Sequence, residues 1–449
     1  MRGRERWKTA AAALLLAAWF LARTWRGLLV YFQGDDAMNL YQAWILAPWK
    51  IALANLTPFT AVYRPFGTAV YRSLYAIFGW HPLPFRILVY ALMLLNIGLL
   101  YRLARMLTGS AEIGVLAALI GSYHPRLIDL YLNGGAIYDV LCYTFSLLAL
   151  IAYMGGRPAL FLIAYVLALN SKEMAAAIPL LALIYDGIYR KRAGSVAAWT
   201  ALGATGLAFV IKKSAPAFAH VPDYWLHVSV RQFFATTRPL LSQLWLLPEN
   251  ALNTTESVLI FALMWAIAAA RRSKPLLFAA AFATLAPLPI NFITYRGFFV
   301  MYLPLAGWAI FLATSLMGVR EWFWRRHLQR HAAGSLAPDY GFAILLFAGL
   351  LFSVQSNDPY RSFDRIDPSQ ANLRTLAEAL PQAVPGRVLL LHDPFPRDVW
   401  DPVFVVRMHY RNPDLMVDRV AGPSQQPSGR RYDLVLDYDG QHYNLLREP

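Results

Sequence analysis

The chain has 449 residues, 58% of them apolar and 15% charged, with a mean hydropathy of +0.41. Soluble domains are nearer half apolar and a quarter charged, so this composition excludes an ordinary water-soluble globule and indicates an integral membrane protein. The formal charge of +15 is spread through loops between apolar runs, a placement that sets topology rather than binds a polyanion, so no nucleic-acid partner is expected.

The amino terminus, M-R-G-R-E-R-W-K and then a short apolar run, imitates a signal peptide, but it lacks a small-residue cleavage site and further apolar runs follow. It reads as a retained first helix. Apolar runs give about eleven membrane segments: 9–22, 86–106, 111–123, 139–154, 158–169, 174–189, 195–211, 254–270, 275–290, 298–318 and 340–354. Several fall short of the roughly 20 residues of a full crossing and suit tilted, broken or protein-buried helices. The only cysteine, Cys142, lies in one of these runs, so no intrachain disulfide is possible.

Basic clusters alternate with the segments. Arg2, Arg4, Arg6 and Lys8 precede the first, Arg102 and Arg105 end the second, and Arg190, Lys191 and Arg192 follow the sixth. Arg271, Arg272 and Lys274 follow the eighth, and Arg320, Arg325, Arg326 and Arg330 the tenth. An odd number of crossings puts these clusters on one face, which the positive-inside bias makes cytoplasmic. The amino terminus is then inside and the carboxyl-terminal tail outside.

Three regions are expected on the outer face: the loop 33–84, the stretch 212–253 and the tail. Within the first loop, D-D-A-M-N-L-Y-Q-A-W-I-L and F-G-T-A-V-Y-R-S-L-Y-A-I-F carry aromatic and aliphatic residues at helical spacing, suiting helices that lie along the interface. The expected organisation is an all-α membrane domain over 1–357 and a small extracytoplasmic α/β domain over 358–449. In the latter, Q-A-N-L-R-T-L-A-E-A-L reads as an amphipathic helix, and R-V-L-L-L-H and Y-D-L-V-L-D-Y as strands.

Chemistry-bearing residues gather on that face. Asp35 and Asp36 lie just past the first apolar segment, where a carboxylate pair is costly unless solvated or paired. As a purely local device they would cap a helix starting at Ala37. Asp129 and Asp139 flank a polar turn, L-Y-L-N-G-G-A-I-Y, whose Asn and Gly residues make the bend. Lys172 and Glu173 sit in N-S-K-E, where Asn170 and Glu173 also have capping-box spacing. Arg64, Lys212, Lys213, Arg231, Arg238 and Arg296 run against the positive-inside bias; snorkelling to headgroups accounts for most such residues. His124, before Pro125, has no H-x-x-x-H partner and reads as a structural hydrogen-bonder.

In order, F-Q-G-D-D at 32–36, Y-R-P at 63–65, H-P-R-L-I-D at 124–129 with Asp139, N-S-K-E at 170–173 and T-Y-R-G-F-F-V-M-Y-L-P-L at 294–305 resemble the GT-C superfamily of membrane glycosyltransferases. The likeness covers roughly residues 10 to 320. It is greatest to the branch of protein O-mannosyltransferases and the transmembrane proteins that carry tetratricopeptide repeats, although no repeat array follows in this chain. The resemblance implies a GT-C-type helical bundle and transfer of a sugar from a polyprenyl-phosphate carrier to an acceptor hydroxyl. It also implies that one residue of the pair Asp35 and Asp36 is the catalytic base.

That chemistry suits the residues. Inverting transfer needs a carboxylate to take the acceptor's proton, and a phosphate leaving group needs cations, for which Lys172, Arg296 and Arg64 are the candidates. Asp129, Asp139, Glu173, Tyr295 and Tyr302 are expected to hold the acceptor or support the site. Any divalent metal, magnesium or manganese, would draw on Asp36 and Asp129. The sequence does not separate Asp35 from Asp36. The alternative reading is a transporter or flippase of a lipid-linked sugar, which would need charges near the midplane and commonly shows internal repeats.

Overall fold

The computed structural model describes residues 2–57, 62–213, 225–327, 337–355, 369–422 and 429–447. The expected basic residue Arg330 and the expected domain boundary at 357/358 lie outside the described residues. Helix α1 (Arg2–Thr24) leads through a 3-10 turn into the first loop, which folds as α2 (Gly34–Ile45), α3 (Pro48–Leu56) and α4 (Pro65–Phe78). The two helices expected there are α2 and α4; α3 was not foreseen. Prolines in the first turn start α3, α4 and the next helix, α5 (Pro82–Thr108), where a missing N–H costs nothing.

The chain continues as α6 (Ala111–Ser122), α7 (Asp129–Leu132), α8 (Ile137–Met154), α9 (Pro158–Ser171), α10 (Ile178–Tyr185) and α11 (Val196–Lys213). It then forms α12 (Val230–Leu244), α13 (Thr254–Ala270), α14 (Lys274–Leu285), α15 (Leu288–Asn291), α16 (Tyr302–His327) and α17 (Ala337–Gln355). Every expected apolar segment overlies helix, but fewer than eleven are long enough to qualify as full crossings on their own. Among the described residues, four stretches are long and apolar enough to cross a bilayer: Ala10–Leu29, Pro82–Thr108, Gly134–Met154 and Phe298–Arg326. Five more apolar helices are shorter.

The segment 174–189 shows why. It is a 3-10 turn (Glu173–Ala177), the eight residues of α10, and a π turn (Asp186–Arg190). The break lets Asp186, fully buried, reach Arg190 at 3.1 Å and Arg192 at 3.0 Å. Segment 275–290 is likewise divided between α14 and α15, with Pro287 at the join.

Small residues allow close helix packing where lipid supplies no hydrophobic drive. Ala279, Ala280, Ala281 and Ala283 of α14 are buried, and α16 presents Gly307 to them. A methyl group on Gly307 would stand 2.5 Å from the backbone nitrogen of Ala283.

Among its described residues the tail is a four-stranded sheet with two helices, α18 (Ser369–Ala379) and α19 (Asp401–His409). Its strands are β1 (Arg387–Leu391), β2 (Met416–Val420), β3 (Leu434–Tyr438) and β4 (Tyr443–Arg447). The order is β2-β1-β3-β4, with β1 parallel to both β2 and β3, and β4 antiparallel to β3. Helix α18, β1 and β3 match the sequence expectation; α19, β2 and β4 add to it. Leu373, Leu376, Val388, Leu390, Val405, Val406, Leu434 and Leu436 form the core, and Ala37 of α2 is part of the same cluster. The tail therefore rests directly on the helix that carries the acidic pair.

Candidate active site

Helix α2 starts three residues before the expected Ala37, with Gln33 at its cap and Asp36 in its first turn. The Asp36 carboxylate accepts the Gln33 N–H at 3.0 Å, so this acid caps the helix from within. Consecutive residues of a helix differ by about 100° in direction, and α2 uses that to show three faces. Asp36, Asn39, Leu40 and Ala43 are buried against the bundle, Ala37 and Tyr41 are buried toward the tail, and Asp35, Met38, Gln42 and Ile45 are exposed.

The two aspartates thus have opposite surroundings. Asp36 is 1% exposed. Its carboxylate is 3.5 Å from the Arg86 guanidinium of α5 and accepts the Tyr71 hydroxyl of α4 at 3.3 Å. That same hydroxyl lies 2.8 Å from the Gly134 carbonyl. Burial pushes the Asp36 carboxyl above the usual carboxylate range, against the pull of Arg86. Asp35 makes no such commitment and faces outward beside Gly135. Of the two, Asp35 is the exposed carboxylate and Asp36 the buried one.

Gly134 is required by this arrangement. A methyl group there would lie 1.9 Å from Asp36 Oδ1, and both partners are fixed, one by backbone and one by an ion pair. Gly134→Ala is expected to destabilise the fold by at least the ~1–3 kcal/mol of an overpacked core, seen as a lower Tm, whereas Gly135→Ala, with no contact under 3.0 Å, should lie much nearer the parent.

Two further ion pairs adjoin the acidic helix. The Lys172 ammonium sits 2.6 and 2.7 Å from the two Asp139 oxygens, 3% exposed, with the Phe299 ring 5.0 Å away. Arg64 donates to both oxygens of Glu173, at 3.0 and 3.2 Å, and lies over the rings of Tyr63 and Tyr138 at 4.5 and 5.3 Å. The Glu173 side chain is 42% exposed, so this pair opens to solvent where Lys172–Asp139 does not. Tyr138 also donates to Asn39 Oδ1 at 3.3 Å, tying this layer to α2.

Arg64 adopts a left-handed backbone, φ 44°, immediately before Pro65. Sterics disfavour helical conformations before proline and left-handed ones for any side chain. Strain of this kind persists where surrounding contacts over-determine it, commonly at functional sites.

Two solved structures align with the chain over most of its length. ArnT from Cupriavidus metallidurans in the apo state aligns with a TM-score of 0.49 at 15% identity, covering 92% of this chain and 86% of that one. The same protein bound to undecaprenyl phosphate aligns with a TM-score of 0.45 at 17% identity, covering 91% and 85%. No family model and no curated protein matches the sequence.

The other expected residues divide. Asp139, Lys172, Glu173 and Arg64 form two ion pairs: Glu173 holds Arg64, and Lys172 is held not by its chain neighbour Glu173 but by Asp139. Nor do Asn170 and Glu173 form a capping box. Asn170 is still inside α9 and donates to the Asn55 carbonyl at 3.0 Å. Tyr302 is in the packing between helices, stacked on Tyr143 at 4.0 Å and accepting from Asn96 at 3.3 Å. Tyr295 accepts from Gln243 of α12, an amphipathic helix not foreseen in the stretch 212–253. Arg296 is half-buried in the loop leading to α16, and Asp129 is exposed at the start of α7.

His124 behaves as a structural hydrogen-bonder. Its Nε2 meets the Leu244 carbonyl at 3.0 Å, its Nδ1 accepts the Arg126 N–H at 3.3 Å, and burial pushes its pKa down to about 4. Among the described residues no three His, Cys, Asp or Glu side chains stand together as metal ligands. Asp36 is paired with Arg86 at 3.5 Å, and Asp129 lies apart from that pair in sequence, at the start of α7.

Arg86, Tyr71, Asn39 and Tyr138 were not singled out from sequence. Arg86 had a legible signal: a charge just inside the apolar run P-L-P-F-R-I-L-V demands a partner.

Proposed function

We propose that this chain is a glycosyltransferase of the GT-C type that moves a sugar from a polyprenyl phosphate to an acceptor hydroxyl at the extracytoplasmic face. The observation that carries this reading is the division of the acidic pair. Asp36 is consumed by Arg86 and Tyr71, while Asp35 stands exposed on the same helical turn. The order of motifs along the sequence supports the same reading.

In the proposed step the acceptor oxygen attacks the anomeric carbon and the carbon–oxygen bond to phosphate breaks. Asp35 takes the acceptor's proton, and polyprenyl phosphate leaves as an anion that needs no proton. Arg64 is the foremost partner for that phosphate, because its present partner Glu173 is open to solvent and its guanidinium can bind two oxygens at once. Lys172, next in sequence to Glu173, is a second candidate that would have to be released from Asp139, and Arg296 is a further one. The distribution of basic clusters supports an amino terminus in the cytoplasm and a tail outside.

The test is transfer by purified full-length protein from radiolabelled polyprenyl-phosphate sugars to a membrane extract. Label in a product insoluble in the donor solvent is the expected result. A well-folded wild type that transfers from no donor overturns the reading, and carrier translocation into vesicles would then be measured.

A further inference from the structure

We propose that the carboxyl-terminal domain sets the rotation of α2, with Phe404 and Arg407 as positioning residues that act through Tyr41 on Asp35. The inference rests on the base role proposed for Asp35 and concerns what holds that base in place.

Rotation is what distinguishes Asp35 from Asp36. A turn of α2 by about 100° would carry Asp36 to the place of Asp35 and bury Asp35 or expel it. The bundle side resists this through Arg86 and Tyr71, which hold Asp36, and Tyr138, which donates to Asn39. At the far end, Arg72 of α4 donates to the carbonyls of Ala43, Trp44 and Leu46, closing the last turn. These contacts hold one flank and one end.

The other flank is held by α19. The Tyr41 and Phe404 rings stack at 4.4 Å with 19° between their planes. Arg407 donates to the Tyr41 hydroxyl at 3.1 Å while its Nε is tied to the Leu415 carbonyl at 3.0 Å. The Tyr41 hydroxyl in turn points to the Pro413 carbonyl at 3.5 Å. Ala37, fully buried, fills the tail's own core, so a rotated α2 would push a larger side chain into that position. Helix α4 is pinned to the same element, with the Tyr75 hydroxyl donating to the Met408 carbonyl at 2.9 Å. A planar stack and an arginine fork resist rotation about the helix axis, which apolar packing alone does poorly.

Amide hydrogen exchange on full-length Phe404→Ala and Arg407→Ala tests the clamp without reference to activity. Exchange across 34–45 should accelerate roughly tenfold or more while the Pro82–Thr108 helix stays as in the parent; unchanged exchange across 34–45 overturns the proposal. If Phe404→Ala does not fold, Tyr41→Phe, which keeps the stack and loses the hydroxyl, carries the same comparison. Transfer kinetics then test the link to Asp35. Misplacement of a catalytic group costs roughly 10- to 100-fold, so kcat should fall by that factor with the donor KM unchanged, and Arg407→Lys should recover part of it. Placed in an Asp35→Asn background, the same substitutions should cost nothing further. Equal losses in both backgrounds overturn the positioning role. A wild type without transfer activity removes the base role of Asp35, and the exchange data still decide whether the tail holds the helix.

Discussion

Asp35→Asn is expected to lower the transfer rate by roughly 10²- to 10⁴-fold, the usual contribution of a positioned general base, while Tm and donor binding stay at the parent's values. The side chain is exposed and outside the ion pairs that hold the helix, so its amide counterpart costs no packing. The substitution keeps size and hydrogen-bonding capacity and removes only the ability to accept a proton. Transfer measured beside a thermal melt separates the effects. A large loss of rate with an unchanged melt assigns the base; a rate within a fewfold of wild type removes Asp35 from the mechanism.

The neighbouring residue should show the opposite pattern. Asp36→Ala leaves the Arg86 guanidinium in a site where both partners are under 3% exposed, and also unpairs the Gln33 N–H. Breaking a buried ion pair from one side costs about 3–5 kcal/mol, because the remaining charge is uncompensated. A fall in Tm of many degrees, or failure to recover folded protein, is therefore expected. Arg86→Met should behave alike. The pair Asp36→Leu with Arg86→Met should recover most of the stability, since replacing both charges with apolar groups removes the desolvation cost. A double variant no more stable than the singles would show that an uncompensated charge is not what destabilises them.

The acidic pair and the helices around it were legible because aromatic and aliphatic residues recur at helical spacing in 35–46 and 66–78. What spacing cannot supply is the angle at which a helix meets its neighbours. Asp35 and Asp36 are equivalent in sequence, and only contacts from Tyr71, Arg86, Gly134 and the distant α19 decide which one is buried. The partner of Lys172 was hidden for the same reason. Glu173 adjoins it in the chain, yet the chain leaves α9 at Lys172 in extended conformation, so the ammonium meets Asp139 of α8 while Glu173 turns to Arg64. Helix length alone marks fewer crossings than the apolar runs suggest where polar residues and prolines interrupt those runs, as Asp186 does after α10 and Pro287 after α14. In the tail, β1 and β3 were readable as apolar runs bounded by turns. Strand β4, exposed along most of its length, carries too little apolar pattern to be seen.

The three faces of α2 impose a division of labour on its sequence. Two are committed to neighbours, so positions 36, 37, 40 and 41 tolerate little change. Positions 38, 42 and 45, about one, two and three turns along from Asp35, bear no such duty. Diversifying them would reshape the surface beside Asp35 without disturbing what supports it, so, on the proposed reading of Asp35 as the base, this stripe is where a change of acceptor would be compatible with the same fold. A saturation scan of residues 35–45 should accordingly show tolerance for folding at 38, 42 and 45 and collapse at 36 and 37.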